Sequence, residues 1–257
     1  MGDAFFVQDT EDRFISTDHT RGPWAPDAQH AGPPAALIGR SIEQHGDRAD
    51  MQVTRITFEI LQPVPVEPVT IETSVVRPGK KVELIDATLS ASGKEIVRAR
   101  AWRIRTTELD LEVFEPKLDP PPGPDAGRIV QPFTDAGYLS AMETRFIEGS
   151  FLEVGPAVAW FRMRHPLVDG EETSPLSRVL IAADSGNGIS ASLDWSKWLF
   201  INPDLTVYLH RLPRSEWVCL DATTWLEREG LGLAASTIFD EQGHIGRGTQ
   251  SLFVGPR

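Results

Sequence analysis

The segment GPPAALI, Gly32–Ile38, sets the architecture of the chain, because a segment of the same organisation, SPLSRVL, follows at Ser174–Leu180. Each places Pro at the start of an apolar run. Pro is tolerated in the first turn of a helix, where the amides have no partner within the helix. Since the first run is apolar nearly all round, it predicts a buried helix over Pro33–Gln44. The second predicts a buried helix over Pro175–Asp184.

Alternating polar and apolar residues predict four strands after each helix. The clearest case is Thr54–Ile60, whose apolar side chains fall on one face of an extended chain. The strands expected in the first half are Thr54–Ile60, Val69–Val75, Lys81–Ser90 and Glu95–Arg105. Those expected in the second half lie near 204–211, 216–225, 230–239 and 244–254. Periodicity alone leaves a short strand open at Arg178–Asp184, and the repeated order favours the helix.

A Pro-rich segment separates the two halves. Residues 109–128 contain the run Asp119–Asp125, which reads DPPPGPD. Pro cannot donate a backbone hydrogen bond to a helix or a central strand, and such a composition is typical of an extended, semi-rigid linker. We therefore expect an N-terminal unit at 1–112, a linker at 113–128 and a C-terminal unit at 129–257.

Composition limits the partners and the compartment. The 257 residues carry a net charge of -12, which argues against nucleic acid, since that partner needs a basic surface. No apolar stretch approaches the roughly 20 residues of a membrane helix, so no membrane insertion is expected. Cys219 is the only cysteine. With no secretory signal visible in the sequence, these features predict a cytoplasmic protein.

The common catalytic motifs are absent from the sequence. There is no P-loop, and Gly188–Ser192 lacks the second Gly of a nucleophile elbow. The six histidines show no ligand-like pair spacing and have no cysteine partner nearby. We therefore expect neither a metal nor a cofactor. The histidines are at positions 19, 30, 45, 165, 210 and 244.

Three polar positions in the second half stand out. Asp184 ends an apolar run, where a carboxylate faces an unfavourable helix dipole. Asn202 precedes a Pro where a strand begins, and Gln250 lies in the last strand. Each has an ordinary structural interpretation: a turn cap for the Asp, a turn residue for the Asn and a solvated strand face for the Gln. Spacing alone does not choose between structure and catalysis.

Several blocks of sequence resemble the acyl-CoA thioesterase II family. They are Gln29–Leu37, Leu180–Asp184, Leu209–Arg211 with Glu216-Trp217, and the strand after a Gly turn that ends at Gln250. Their order extends over most of the chain. The resemblance implies an α+β tandem (double) hotdog, in which two antiparallel sheets are each wrapped around a central helix. It also implies a thioester hydrolase acting on an acyl-CoA, without a cofactor.

The resemblance implies a catalytic set at Asp184, Asn202 and Gln250. The family has an Asp after the second helix, a Thr opening the next strand and a Gln in the last strand. Asn202 replaces the Thr, keeping a hydrogen-bonding side chain but losing the hydroxyl. A carboxylate can take a proton from water, and the two amides can hold that water by donating and accepting hydrogen bonds.

Two further sets are expected to bind the substrate. The backbone amides of Ala31 and Gly32, at the start of the first helix, are candidate oxyanion donors, although Gly32 also suits a tight turn. His30 is grouped with them, and a structural hydrogen bond is its other interpretation. A basic turn could meet the phosphates of CoA or be a solvated hairpin tip. Its residues are Arg77, Lys80 and Lys81.

Alternatives from other functional classes remain open. The change from Thr to Asn at position 202 leaves room for a non-catalytic acyl-CoA-binding module. A hotdog hydratase needs an acid before Asn-Pro and a His after it, and Phe200–Leu205 has only the Asn-Pro. Finally, exposed sheet edges favour pairing with another copy, so a homo-oligomer is expected.

Overall fold

The computed structural model describes residues 3–46, 48–114, 116, 118–130 and 137–257. Its α-helices are α1 (Gly32–Gln44), α2 (Tyr138–Ala141), α3 (Pro175–Ala183) and α4 (Gly186–Ile189). Its strands are β1 (Phe6–Gln8), β2 (Arg13–Ser16), β3 (Met51–Ile60), β4 (Val69–Arg77), β5 (Val82–Ala91), β6 (Lys94–Arg105), β7 (Arg128–Ile129), β8 (Met142–Glu148), β9 (Ala157–Met163), β10 (Trp198–Ile201), β11 (Asp204–Leu209), β12 (Val218–Leu226), β13 (Leu231–Asp240) and β14 (Gly243–Pro256).

The described strands join into one antiparallel sheet. Strands of the first half follow the order β1-β2-β4-β5-β6-β3, and those of the second half follow β11-β14-β13-β12-β9-β8-β7, with β10 beside β14. The halves meet where β3 pairs with β11, for example at Ile56 opposite Val207. The two sheets expected from the sequence are therefore present but continuous, because their inner edge strands hydrogen-bond to each other.

The main sequence predictions of secondary structure are confirmed. Both buried helices form, the second ending at Ala183. Strands β3 to β6 and β11 to β14 coincide with the eight predicted strands within a few residues. The remaining strands and the two short helices were not predicted. The result is the α+β tandem hotdog, with α1 and α3 enclosed by the curved sheet.

Two glycines of α1 allow the central helices to pack closely. A Cβ atom on Gly39 would lie 2.3 Å from Cδ1 of Leu180, and one on Gly32 would lie 2.3 Å from the carbonyl oxygen of Ile181. A side chain at Gly32 would therefore collide with the backbone of α3. This contact brings the start of α1 against the last turn of α3.

Polar contacts also join α1 to the second half. Arg40 is buried and forms two hydrogen bonds with the carboxylate of Glu171, at 2.6 and 2.5 Å. Ser174, the N-cap of α3, donates from Oγ to Oε2 of Glu43 at 2.6 Å. Burial raises the pKa of Glu43, and the hydrogen bond from Ser174 opposes that effect. These contacts join α1 to the segment that leads into α3 and to the N-cap of that helix.

The Pro-rich segment forms no helix or strand between 106 and 123 among its described residues. It is attached to the second half, since Nε1 of Trp160 donates to the carbonyl oxygen of Pro122 at 2.8 Å. Two residues of the predicted linker, Glu115 and Lys117, lie outside the described residues. In the described part of the chain, no helix has the length and apolar character to cross a membrane.

Candidate active site

Asp184 lies at the junction of α3 and α4. It follows the last residue of α3 as its C-cap, and α4 begins two residues later. Because the preceding run is buried between the other central helix and the sheet, the acid is carried into the interior, where it is 5% exposed.

Asn202 and Gln250 both hydrogen-bond to Asp184. Nδ2 of Asn202, between β10 and β11, donates to Oδ1 of the carboxylate at 2.8 Å. Nε2 of Gln250, in β14, lies 3.2 Å from the same oxygen and 3.2 Å from the carbonyl oxygen of Asp184. Oε1 of Gln250 accepts from the backbone amide of Asn187 at 3.1 Å. The structure therefore brings the three predicted residues together, with both amides turned to the carboxylate.

His30 approaches the other carboxylate oxygen. Its Nδ1 lies 3.2 Å from Oδ2 of Asp184, and the same nitrogen accepts a hydrogen bond from the backbone amide of Gly32 at 3.1 Å. A nitrogen that accepts carries a lone pair, so the proton of the neutral ring is on Nε2. Burial lowers the pKa of His30, and the charge of Asp184 opposes this. The imidazole is therefore neutral at neutral pH.

Tyr138 holds the imidazole of His30 in place. The two rings are stacked with centroids 3.8 Å apart and planes 9° apart. The phenol donates to the carbonyl oxygen of Ile181 at 2.9 Å and lies 2.8 Å from Oγ of Ser185. Burial raises the pKa of this phenol well above its usual value. Tyr138 is thus a neutral group that links the histidine to the end of α3.

A cavity of about 50 Å³ adjoins this cluster. A water needs roughly 10–15 Å³ of such space, so the cavity can hold one. Its polar wall includes His30, Asp184 and Asn202, whereas Ala31, Gly32 and Gln250 do not line it. The other walls are mainly aromatic, and include Trp24, Tyr138, Phe151, Phe161, Trp195 and Phe200. The carboxylate therefore faces a small, largely apolar space.

The predicted basic turn lies elsewhere. Arg77 ends β4, and Lys80 and Lys81 precede β5. The Arg77 guanidinium donates to the carbonyl oxygen of Val82 at 2.8 Å. None of the three basic residues lines the cavity at Asp184. Their assignment to the CoA phosphates stays a prediction.

One group among the described residues has side chains spaced to hold a metal ion. Oδ1 of Asp3 lies 3.0 Å from Nε2 of His19 and 3.0 Å from Nδ1 of His165. The two imidazoles are stacked, with centroids 4.1 Å apart and planes 13° apart. An imidazole nitrogen binds a metal in the plane of its ring, and one ion cannot lie in two stacked planes. In this arrangement the three side chains form a hydrogen-bonded group.

Sequence reasoning missed several residues of the site. Trp24 and Trp195 line the cavity, and Tyr138 supports His30. Nothing in their local sequence marks them, because they are brought together from distant parts of the chain. Ser185 and Asn187 adjoin Asp184 in the sequence, and the polar run after an apolar helix was a usable signal.

The sequence profile of the acyl-CoA thioesterase N-terminal domain matches residues 20–104, and that of the C-terminal domain matches residues 97–254. The chain belongs to the acyl-CoA thioesterase family and is a thioester hydrolase. No curated protein sequence matches the chain significantly.

Solved structures share the fold over nearly the whole chain. The tesB protein of Mycobacterium avium subs paratuberculosis is 17% identical with a TM-score of 0.71, covering 98% of this chain and 96% of that one. Acyl-CoA thioesterase II TesB2 of Mycobacterium marinum is 15% identical with a TM-score of 0.69, covering 98% and 95%. A hot dog fold protein of unknown function from Alicyclobacillus acidocaldarius is 16% identical with a TM-score of 0.74, covering 98% and 97%.

Proposed function

We propose that this protein hydrolyses a fatty or related acyl-CoA to the free acid and CoA, with Asp184 as the general base. One observation carries the proposal: the Asp184 carboxylate is buried, fixed by two amides and placed on the wall of an apolar cavity. A thioester carbonyl is attacked readily by a water that has been aimed and relieved of its proton. The cavity has room for that water.

The two oxygens of the carboxylate have different roles. Oδ1 accepts from Asn202 and Gln250, which fixes the orientation of the group. Oδ2 takes the proton as water adds to the carbonyl carbon. When the tetrahedral intermediate collapses, the C–S bond breaks and the departing thiolate recovers the proton from Asp184. The carboxylate is then restored, and no metal is needed in this cycle.

The two amides also differ in role. Gln250 donates to Asp184 and accepts from the backbone amide of Asn187, and it does not line the cavity. It is therefore a positioning residue. Asn202 lines the cavity and has an amide oxygen that can accept from the water. Asn202 supplies the hydrogen-bond donor that the Thr supplies in the family, because its Nδ2 donates to the carboxylate of Asp184.

His30 is the better candidate for the oxyanion donor. The amide of Gly32 already donates to Nδ1 of His30, so it is committed within the protein. The neutral imidazole carries its proton on Nε2, and the ring lines the cavity. A donor already oriented toward the developing charge stabilises the transition state without reorganisation. Gly32 serves instead to allow α1 to approach α3.

A homo-oligomer is proposed from the outer face of the second half. Trp225 lies opposite Leu233, and Phe253 lies opposite both Leu231 and Ile201. All five side chains are exposed and span four neighbouring strands. Contiguous apolar surface of this kind is typical of protein interfaces. We also propose a cytoplasmic location, because the single cysteine of the sequence is a buried free thiol. A role in fatty acid metabolism is proposed from the acyl-CoA substrate.

The test is release of a free thiol from acyl-CoAs of graded chain length by the purified protein. We expect saturable, protein-dependent thiol release. A non-catalytic binding module would give saturable binding without thiol, and a hydratase would convert an enoyl-CoA to a hydroxyacyl-CoA with the thioester intact. Either of these results would contradict the proposed function.

A further inference from the structure

A larger groove adjoins the catalytic cavity and shares part of its wall. The groove has a volume of about 500 Å³. Pro23, Trp24 and Trp195 line both the groove and the cavity. The indoles of the two tryptophans are stacked, with centroids 4.4 Å apart. A chain leaving the reacting carbonyl along this wall would therefore pass the tryptophan pair and enter the groove.

Past the tryptophan pair, the wall of this groove is apolar. It includes Leu152, Val154, Ala191 and Leu193. Leu152 and Val154 are strongly exposed, which costs free energy unless something covers them. An apolar tail would cover them. The amides of a pantetheine arm would find few partners on such a surface.

The charges near the groove also disfavour the nucleotide end of CoA. Glu153 and Asp194 line it, and so does one cation, Arg257. The side chain of Arg257 donates from Nε to the carbonyl oxygen of Trp195 at 2.8 Å and lies 5.9 Å from the ring of Trp24. It is thus engaged in fixing the tryptophan pair. Both carboxylates are paired with cations, Glu153 with Arg128 at 3.4 Å and Asp194 with Lys197 at 3.5 Å. The charges at this groove are therefore balanced, and they provide no net positive potential to attract several phosphates.

We propose that this groove holds the tail of the acyl group, so that the Trp24–Trp195 pair and the groove beyond it set the preference for acyl length. The inference rests on the proposed function for the position of the carbonyl at Asp184. It predicts that affinity grows with chain length while methylenes enter the groove. Each buried methylene should tighten binding by about fourfold.

The experiment uses S-alkyl-CoA thioethers, which lack the carbonyl and cannot be hydrolysed. Dissociation constants of CoA itself and of the S-ethyl to S-dodecyl analogues are measured by calorimetry for the full chain. Val154→Trp fills the groove. We expect this variant to weaken the binding of S-dodecyl-CoA at least about tenfold more than the binding of S-ethyl-CoA. Val113→Trp is the matched control, because Val113 is 70% exposed, against 65% for Val154, and does not line the groove.

A second variant removes contact without adding bulk. Leu152→Ala truncates an exposed side chain, so folding is not at risk, and it should weaken binding of the long analogue selectively. An equal loss for CoA and for every analogue would place pantetheine in the groove and overturn the proposal. Unchanged length dependence in both variants would overturn it as well. Because these are binding measurements, length-dependent binding without thiol release would refute hydrolysis alone.

Discussion

Nδ2 of Asn202 lies 2.8 Å from Oδ1 of Asp184, and this contact joins the start of β11 to the end of α3. The bond belongs to a carboxylate that also accepts from Gln250. One carboxylate oxygen is therefore saturated by protein donors, and the other is left for the cavity and His30. The amide of Asn202 therefore donates to Asp184 as a hydroxyl at the same position could.

Replacing Asn202 tests this contact. A hydrogen bond to a charged group contributes about 1.5–3 kcal/mol, so Asn202→Ala should lower kcat by about tenfold to hundredfold. Asn202→Thr should recover most of the loss, since its hydroxyl can donate to Asp184. Steady-state thiol release with both variants measures the difference. Equal kcat for Asn202→Ala and the unchanged protein would contradict the role.

Gln250→Ala tests a positioning residue. We expect kcat to fall while KM changes little, because Gln250 does not line the cavity. The variant should also lose about 1–3 kcal/mol of stability, since the partly buried Asn187 amide loses its acceptor and the buried Gln250 side chain is removed. Kinetics and urea denaturation give the two values. Gln242→Ala, in an exposed hairpin, is the control, and a KM effect as large as the kcat effect would refute positioning.

The pH dependence should report His30. Burial lowers its pKa below the ordinary 6.5. Protonation at low pH would place a hydrogen on Nδ1, remove the acceptor for Gly32 and direct a donor to the base, so kcat/KM should fall on the acid side. Stability should follow the same direction. The unfolded chain takes up this proton near its ordinary pKa and the folded chain only at lower pH, so stability falls as pH decreases below that ordinary value.

Thermal melts and kcat/KM profiles across about pH 5–8 measure both effects. The loss of stability should begin near the ordinary histidine pKa, and the fall in kcat/KM should lie below it, because folding lowers the pKa of His30. His30→Gln keeps a donor at the ring position but cannot take up a proton. The variant should lose the part of the pH dependence of stability that His30 contributes. An unchanged slope in the variant would show that another group is responsible.

The close contact of α1 with α3 predicts unequal effects of two glycine substitutions. Gly32→Ala puts a methyl 2.3 Å from a backbone oxygen of α3, which cannot move alone. Gly39→Ala meets only the end of the Leu180 side chain. Overpacking typically costs about 1–3 kcal/mol, and we expect Gly32→Ala to lie at or above the upper end of that range. Urea denaturation that ranks Gly39→Ala as the more damaging change would contradict the packing described.

The sequence indicates the parts of the fold with strong local patterns. The Pro-initiated apolar runs predict α1 and α3, and alternation predicts β3 to β6 and β11 to β14, because one face of each is buried. Strand β9 has the sequence AVAWFRM and lacks that alternation. Three consecutive residues of this strand are buried, so apolar side chains occur on both of its faces. Its position follows from pairing with β12, which is a long-range contact.

The sequence likewise predicts only part of the candidate site. Asp184 was visible because a carboxylate ended an apolar helix, and Gln250 and Asn202 followed from a family resemblance. Tyr138 was not visible, because its role depends on stacking with His30 from another part of the chain. The hydrogen bond from the Gly32 amide to His30 was not visible either, because it depends on the orientation of the His30 ring, which no sequence pattern specifies.

The most direct test of the account is the rate of thiol release by Asp184→Asn. The substitution keeps the shape of the side chain and removes the base, so the fold should survive, as judged by an unchanged cooperative melt. Loss of a positioned base lowers the rate by about 10²–10⁴, and we predict a fall of that size in kcat. A folded variant that turns over at the unchanged rate would show that Asp184 is not the base.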